Sequence, residues 1–160
     1  MEFQININHN FTADTEDEAR EKAKSYVGKN LQVKALREGV YSPAQIAEKC
    51  KNFRRSKKEH FIVFYLDTQN RILGKETVSI GTLNTSLIHP RECFRTAIIK
   101  TAASVIFVHN HPSGGLEPSV EDLSITKRLA SSGKLLGIEV VDHIIVTADS
   151  HTSLRERNLI

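Results

Sequence analysis

Residues 3–7 alternate apolar and polar side chains with a period of two, the pattern of a half-buried strand. Thr15 and Glu18 then have capping-box spacing, Ala19, Ala23, Tyr26 and Val27 make one apolar stripe, and Gly28 falls where a helix stops. A second helix is expected from Ser42-Pro43, with Gln45 completing a capping box and Ile46, Ala47, Cys50 and Phe53 at helical spacing. From residue 59 the pattern tightens. Residues 61–66 are continuously apolar, as in a strand buried on both faces. Asp67-Thr-Gln-Asn70 supplies turn residues, and residues 72–80 return as the second arm of a hairpin. Pro90, behind His89, opens a helix whose buried stripe is predicted to be Phe94, Ala97, Ile98 and Thr101. A buried strand over 104–108, a Pro/Gly-rich loop, a helix from Ser119 to about Leu136 and a long strand over 138–146 complete the chain. This alternation predicts an α/β domain over 39–160, with a central sheet covered by helices, and a small strand-plus-helix extension over 1–38.

Composition narrows the class without naming it. A chain of 160 residues, 39% hydrophobic and 26% charged, suits one ordinary globular domain with a modest extension. The longest apolar run, residues 61–66, is too short to cross a bilayer, and the first ten residues show no secretory pattern. Cys50 and Cys93 are the two cysteines, far apart and without a CxxC pair, so neither a disulfide framework nor a Cys-rich zinc site organises the fold. A reduced, cytoplasmic protein is expected. The net charge of +3 does not argue for nucleic acid. Residues 51–58 hold five basic side chains in eight, which reads as a solvated face in preference to a nucleic-acid patch.

The chemistry concentrates in His109-Asn-His-Pro-Ser-Gly-Gly-Leu-Glu-Pro-Ser-Val-Glu-Asp122. His109 and His111 stand two apart at the end of a buried strand, so their imidazoles share one face and can converge. Asp122 lies in the first turn of the next helix, where its carboxylate can reach back to the strand end. Two neutral imidazoles and a carboxylate suit Zn²⁺ with a fourth position left for water. Ser119-x-x-Asp122 is equally an ordinary N-cap motif.

His109-x-His111, seven residues, then Ser119-x-x-Asp122 resembles the JAMM motif of the JAB/MPN metalloprotease-like domains. The flanking text is closer still to the RadC-like branch of that family: Gly81-Thr-Leu-Asn, His89-Pro-Arg-Glu92, His109-Asn-His-Pro-Ser-Gly114, Pro118-Ser-x-x-Asp122 and Asp142-His-Ile-Ile145, spread over about residues 40–160. The resemblance implies a mixed central sheet flanked by helices. It implies zinc on His109, His111 and Asp122, with water as fourth ligand. Ser119 would then donate a hydrogen bond to the oxyanion formed when that water attacks a carbonyl. Glu59, just before the first core strand, matches the position of the family's general base. Asn110 departs from the small hydroxyl usual between the histidines. Two readings of Asp142-His143 stay open: one of the pair supports the site from behind, or both are strand residues bonded to backbone. His9, His60, His89 and His151 read as structural or surface residues.

The expected function is therefore a zinc-dependent hydrolase of peptide or isopeptide bonds acting on a peptide or protein segment, with no membrane partner and an open oligomeric state. The alternatives are a DNA-associated protein, as the RadC label suggests, and a non-catalytic MPN-type interaction module. The contiguous His109-Asn-His111 is not the dispersed HNH nuclease motif. A zinc deaminase requires His-x-Glu and Pro-Cys-x-x-Cys, and the chain has neither.

Overall fold

The computed structural model describes residues 42–81 and 88–160. The strand expected near residues 3–7, the helix expected near 15–28 and the extension they would form lie outside the described residues. Ser42 caps helix α1 (Pro43–Glu48), its Oγ accepting from the Gln45 N–H at 3.2 Å while its own N–H donates to Gln45 Oε1 at 3.1 Å. The single helix expected here is two, α1 and α2 (Lys51–Arg54), with a break at Lys49-Cys50. Ile46, Ala47, Cys50 and Phe53 are all buried, as their spacing predicted.

Strands β1 (Glu59–Leu66) and β2 (Ile72–Gly81) form the expected antiparallel hairpin. Helix α3 (Pro90–Ile99) leads to β3 (Ser104–Asn110), then α4 (Val120–Leu136), β4 (Glu139–Val146) and β5 (His151–Ser153). The last is a three-residue strand that the hydrophobic pattern did not reveal. The sheet order is β2-β1-β3-β4-β5, antiparallel throughout except for β3 and β4. That parallel pair needs a crossover, and α4 supplies it. The sheet is thus mixed and flanked by helices, as expected.

Alternation sorts the strand residues to two faces. Phe61, Val63 and Tyr65 of β1 pack with Val105 and Phe107 of β3 against Cys93, Phe94 and Ala97 of α3 and Ile125 and Leu129 of α4. Ile62, Phe64 and Leu66 pack with Ile106 and Val108 against α1 and α2 on the other side. Both faces are covered, which is why β1 reads as an unbroken apolar run.

The α3 stripe differs from expectation. Cys93, Phe94 and Ala97 are buried, whereas Ile98 is 56% exposed and Thr101 is exposed. The helix stops at Ile99, and Thr101 takes a left-handed conformation (φ 50°) that lets the Ala102 N–H donate to the Ala97 carbonyl. Helical periodicity cannot carry the stripe through that reversal to Thr101, and Ile98, still inside the helix, lies beside the buried face set by Cys93, Phe94 and Ala97.

Helix α4 ends at Gly137, whose φ of 70° a side chain would oppose, and the chain turns at once into β4. Gly133, one turn earlier, is where helix and strand meet most closely. A Cβ there would run into the Ile138 carbonyl oxygen, with Phe94 Cζ and Val140 Cγ2 each 3.2 Å away. Gly133→Ala gains about 1 kcal/mol of helix propensity. Forcing an atom into a packed core costs about 1–3 kcal/mol and more when backbone must move. The expected result is a net loss of stability in urea unfolding; an unchanged midpoint would show that α4 and β4 do not depend on this close approach.

Candidate metal centre

His109 occupies the next site-facing position after Val105 and Phe107 on β3 and is fully buried. The ladder does not stop at Asn110. The His111 N–H donates to the Val146 carbonyl at 3.0 Å, which extends the β3–β4 pairing and holds His111 in phase with His109. After the exposed loop, Ser119 caps α4: its Oγ accepts from the Asp122 N–H at 3.1 Å, and Asp122 Oδ2 accepts from the Ser119 N–H at 2.8 Å and from its hydroxyl at 2.7 Å. The capping box thereby fixes the carboxylate at the positive end of the helix and aims it at the strand end.

His109 Nε2 stands 3.0 Å from His111 Nε2 and 3.2 Å from Asp122 Oδ1, and His111 Nε2 is 3.4 Å from Asp122 Oδ2. Ligands of a tetrahedral zinc with bonds of about 2.0–2.1 Å lie about 3.3 Å apart. The His–His separation, and the reach of each imidazole to its nearer oxygen of the carboxylate, come within a few tenths of an ångström of that length. Among the described residues these three form the group able to hold a metal ion. His111 is the member that reaches the surface, at 12% side-chain exposure against 0% for His109 and 1% for Asp122.

The protons tell the same story. His111 Nδ1 lies 2.8 Å from the Gly115 carbonyl, which can only accept, so Nδ1 carries the hydrogen and neutral His111 presents a bare Nε2. Burial opposes ionisation of Asp122, but the neighbouring imidazoles of His109 and His111 outweigh it and hold the carboxyl well below the usual range. The Asp122 hydrogen bond raises His111, burial works against it, and the Gly115 carbonyl and the charges of Asp122 and Glu59 add to the rise. A cation, proton or metal, is what this cluster favours.

Glu59 opens β1 two residues before Phe61, which pairs with His109. It therefore lies on the face that carries His109, beside His111, where its charge is felt. Asn110, pointing to the opposite face from the two histidines, holds this strand end. Its Nδ2 donates to the carbonyls of Ser56 (3.3 Å) and Lys58 (3.0 Å), and its Oδ1 accepts from the His60 N–H at 2.8 Å. One buried amide thus pins both peptide groups that flank Glu59. Spacing did not reveal this role; the signal was a buried-strand asparagine locked between two site residues.

The Asp142-His143 pair divides between the two open readings. A register shift opposite Val105/Ile106 places Asp142 across from Ile106 and His143 across from Phe107. His143 therefore faces the site, with Nε2 2.8 Å from His109 Nδ1 and Nδ1 2.5 Å from Thr126 Oγ1. Burial pushes His143 well below the usual imidazole value, so its ring is neutral. Asp142 faces away and accepts from the His143 N–H (2.7 Å), the Ser153 hydroxyl (2.7 Å) and the Arg155 N–H (3.1 Å). His60 contacts Ser56 Oγ and the Phe53 ring, and His89 caps α3; neither joins the cluster. His9 lies outside the described residues.

The sequence pattern of the RadC-like JAB domain family matches residues 40–159. The UPF0758 protein of Methanosarcina acetivorans is 52% identical over 107 residues, covering 67% of this chain and 47% of that protein. A UPF0758 protein of Shouchella clausii is 46% identical over 134 residues, 82% of this chain and 58% of its own. The chain spans about half the length of these curated relatives.

Burial is the main cause that raises Asp142, partly offset by its hydrogen bonds from Ser153, Arg155 and His143. A carboxyl with a raised folded value contributes stability that is fully present below its ordinary value of 3.8 and lost as pH rises through the folded value. Asp142→Asn keeps an oxygen for the His143 and Arg155 N–H groups without the buried charge. Unfolding midpoints of variant and wild type, measured together from acid to neutral pH, should diverge in the variant's favour across that window. A difference that stays flat with pH would contradict the assignment.

Proposed function

Because the chain belongs to the RadC-like JAB domain family, we propose that it is a zinc-dependent hydrolase that cleaves a peptide or isopeptide bond at the His109–His111–Asp122 cluster. The observation that carries this reading is the convergence of two imidazole nitrogens and one carboxylate at separations near the edge of a zinc tetrahedron. Nitrogen and carboxylate donors also suit zinc. His109 and His111 would hold the ion through Nε2, and Asp122 through a carboxylate oxygen. When bound, zinc supplies a water that is acidic at neutral pH and a charge that polarises a carbonyl.

The remaining work falls to the chain. Glu59 takes the proton of the attacking water and passes it to the leaving amine, for which its place beside His111 suits it. The Ser119 hydroxyl, at the edge of the cluster, turns from Asp122 to the substrate carbonyl oxygen as that atom gains charge. The substrate is an extended peptide or protein segment that enters on the exposed His111 side. We place the reaction in the cytoplasm. Cys50 and Cys93 are free thiols pushed up to about 12 by burial, and no described helix is long and apolar enough to cross a membrane.

The basic run over 51–58 gives the DNA-associated reading little support. Lys51 pairs with Glu48, Arg55 pairs with Asp149, and Arg54 donates to the carbonyls of Thr147 and Ser150. An interaction module without catalysis has no need of donors held at metal-binding distances.

Elemental analysis of protein purified without chelator or metal-affinity resin tests the reading. About one zinc per chain is expected, lost in His111→Ala and Asp122→Ala while circular dichroism shows both folded. Glu59→Gln should keep the zinc and lose hydrolysis of a peptide library by about 10²–10⁴-fold. Failure of the wild type to take up zinc at neutral pH would overturn the proposal.

A further inference from the structure

We propose that Thr126 and His143 are positioning residues that lock His109 in the tautomer with hydrogen on Nδ1, so that a bare Nε2 faces the metal position. The inference rests on the metal reading for its purpose, but the proton assignment stands on hydrogen-bond geometry and the complete burial of His143.

The chain of contacts begins at a carbonyl. Thr126 Oγ1 lies 2.6 Å from the Asp122 carbonyl one helical turn back and 2.5 Å from His143 Nδ1. A threonine hydroxyl has one hydrogen, and a carbonyl can only accept. Donation to the carbonyl makes His143 Nδ1 the donor to Oγ1. Neutral His143 then has no hydrogen on Nε2, which accepts from His109 Nδ1 at 2.8 Å. His109 is left with a bare Nε2, pointing at His111 and Asp122.

Reversing the chain fails at its first link. Were the hydroxyl to donate to His143, two oxygens would face each other at 2.6 Å with no hydrogen between them. With His143 neutral, the forward direction alone places one hydrogen in each contact from the Asp122 carbonyl to His109. Water cannot relax the choice, because His109, Asp122, Thr126 and His143 are at most 1% exposed. Phe61 and Phe107 meet the His143 ring edge-on, with centroids 5.5 and 6.1 Å away, and hold its plane. The two histidines of the cluster thus reach the same tautomer by separate routes, His111 through the Gly115 carbonyl and His109 through two side chains ending on the Asp122 carbonyl.

The arrangement has a chemical consequence. A metal-bound imidazole backed by a carboxylate gains electron density from it. The partner here is a neutral imidazole, which orients His109 while leaving more of the cation's charge for a bound water or carbonyl.

Two readouts on the full chain test the assignment. Long-range proton–nitrogen NMR of metal-free protein labelled with ¹⁵N-histidine should show His109 with hydrogen on Nδ1 alone, and Thr126→Val should give a mixed tautomer. Zinc affinity, measured by competition with a chromophoric chelator, should fall about 10–100-fold in Thr126→Val and in His143→Leu. Thr126→Ser, which restores the hydroxyl, should bind as the wild type does. Thr126→Val is nearly isosteric and stays informative if His143→Leu fails to fold. Hydrogen on His109 Nε2 in the wild type overturns the inference, as does wild-type zinc affinity in folded Thr126→Val. If the wild type binds no zinc, the proposed function falls, and the NMR tautomer still decides this assignment.

Discussion

The Nε2 atoms of His109 and His111 stand 3.0 Å apart, each within 3.4 Å of one Asp122 oxygen, and such lone pairs repel unless a cation lies between them, most strongly where water is excluded. A fold that keeps them there must resist that repulsion from several directions. The resistance comes from backbone geometry. His109 and His111 are held by the β3–β4 ladder, and Asp122 by a capping box that makes it part of the helix start. His109 cannot swing away without losing His143, nor His111 without losing the Gly115 carbonyl, and the carboxylate cannot swing away without loosening the α4 cap. The cluster is therefore as rigid as the elements that carry it.

The sheet supplies that rigidity because both its faces are covered. One core, under α3 and α4, runs from Tyr65 and Val105 up to His109 without a gap, so the imidazole is the last member of a row of packed side chains. The other core, under α1 and α2, anchors the far side of the same strands. Asn110 uses that far side to control the near one. Its amide binds the peptide groups on either side of Glu59, so the carboxylate is set relative to the histidines by the residue that joins them in the chain. A small hydroxyl between the histidines could not span three such contacts.

Much of this was legible in the sequence, and most of what was not depends on how one element meets the next. Continuous apolar runs gave β1 and β3, period-two spacing put His109 and His111 together, and Ser119-x-x-Asp122 marked the helix start. These are local features. Most of what escaped depends on phase between elements. In a regular parallel pair, Asp142 would lie across from Phe107 and face the site, with His143 turned away. The one-residue shift in β4 exchanges them. No pattern along a single strand encodes that shift, so the two readings of the pair stood level until the neighbouring strand was in place. The α3 stripe failed for a local reason at Thr101, which leaves the helix by a left-handed turn that threonine rarely adopts, so residue type gave no warning.

The two readings of Asp122, helix cap and proposed metal ligand, do not compete. One oxygen, Oδ2, accepts from the Ser119 N–H and hydroxyl, and the other, Oδ1, stands 3.2 Å from His109 Nε2. Capping consumes an ordinary carboxylate's freedom at little cost, because the residue would otherwise have to be ordered by contacts of its own. Using the cap as the ligand places a charge at the strand end with no further device, and it ties the donor to the helix that also carries Thr126. The carbonyl of the same Asp122 closes the hydrogen-bond chain behind His109. A single residue at the helix start therefore presents one donor directly and, through its backbone, governs the tautomer of a second.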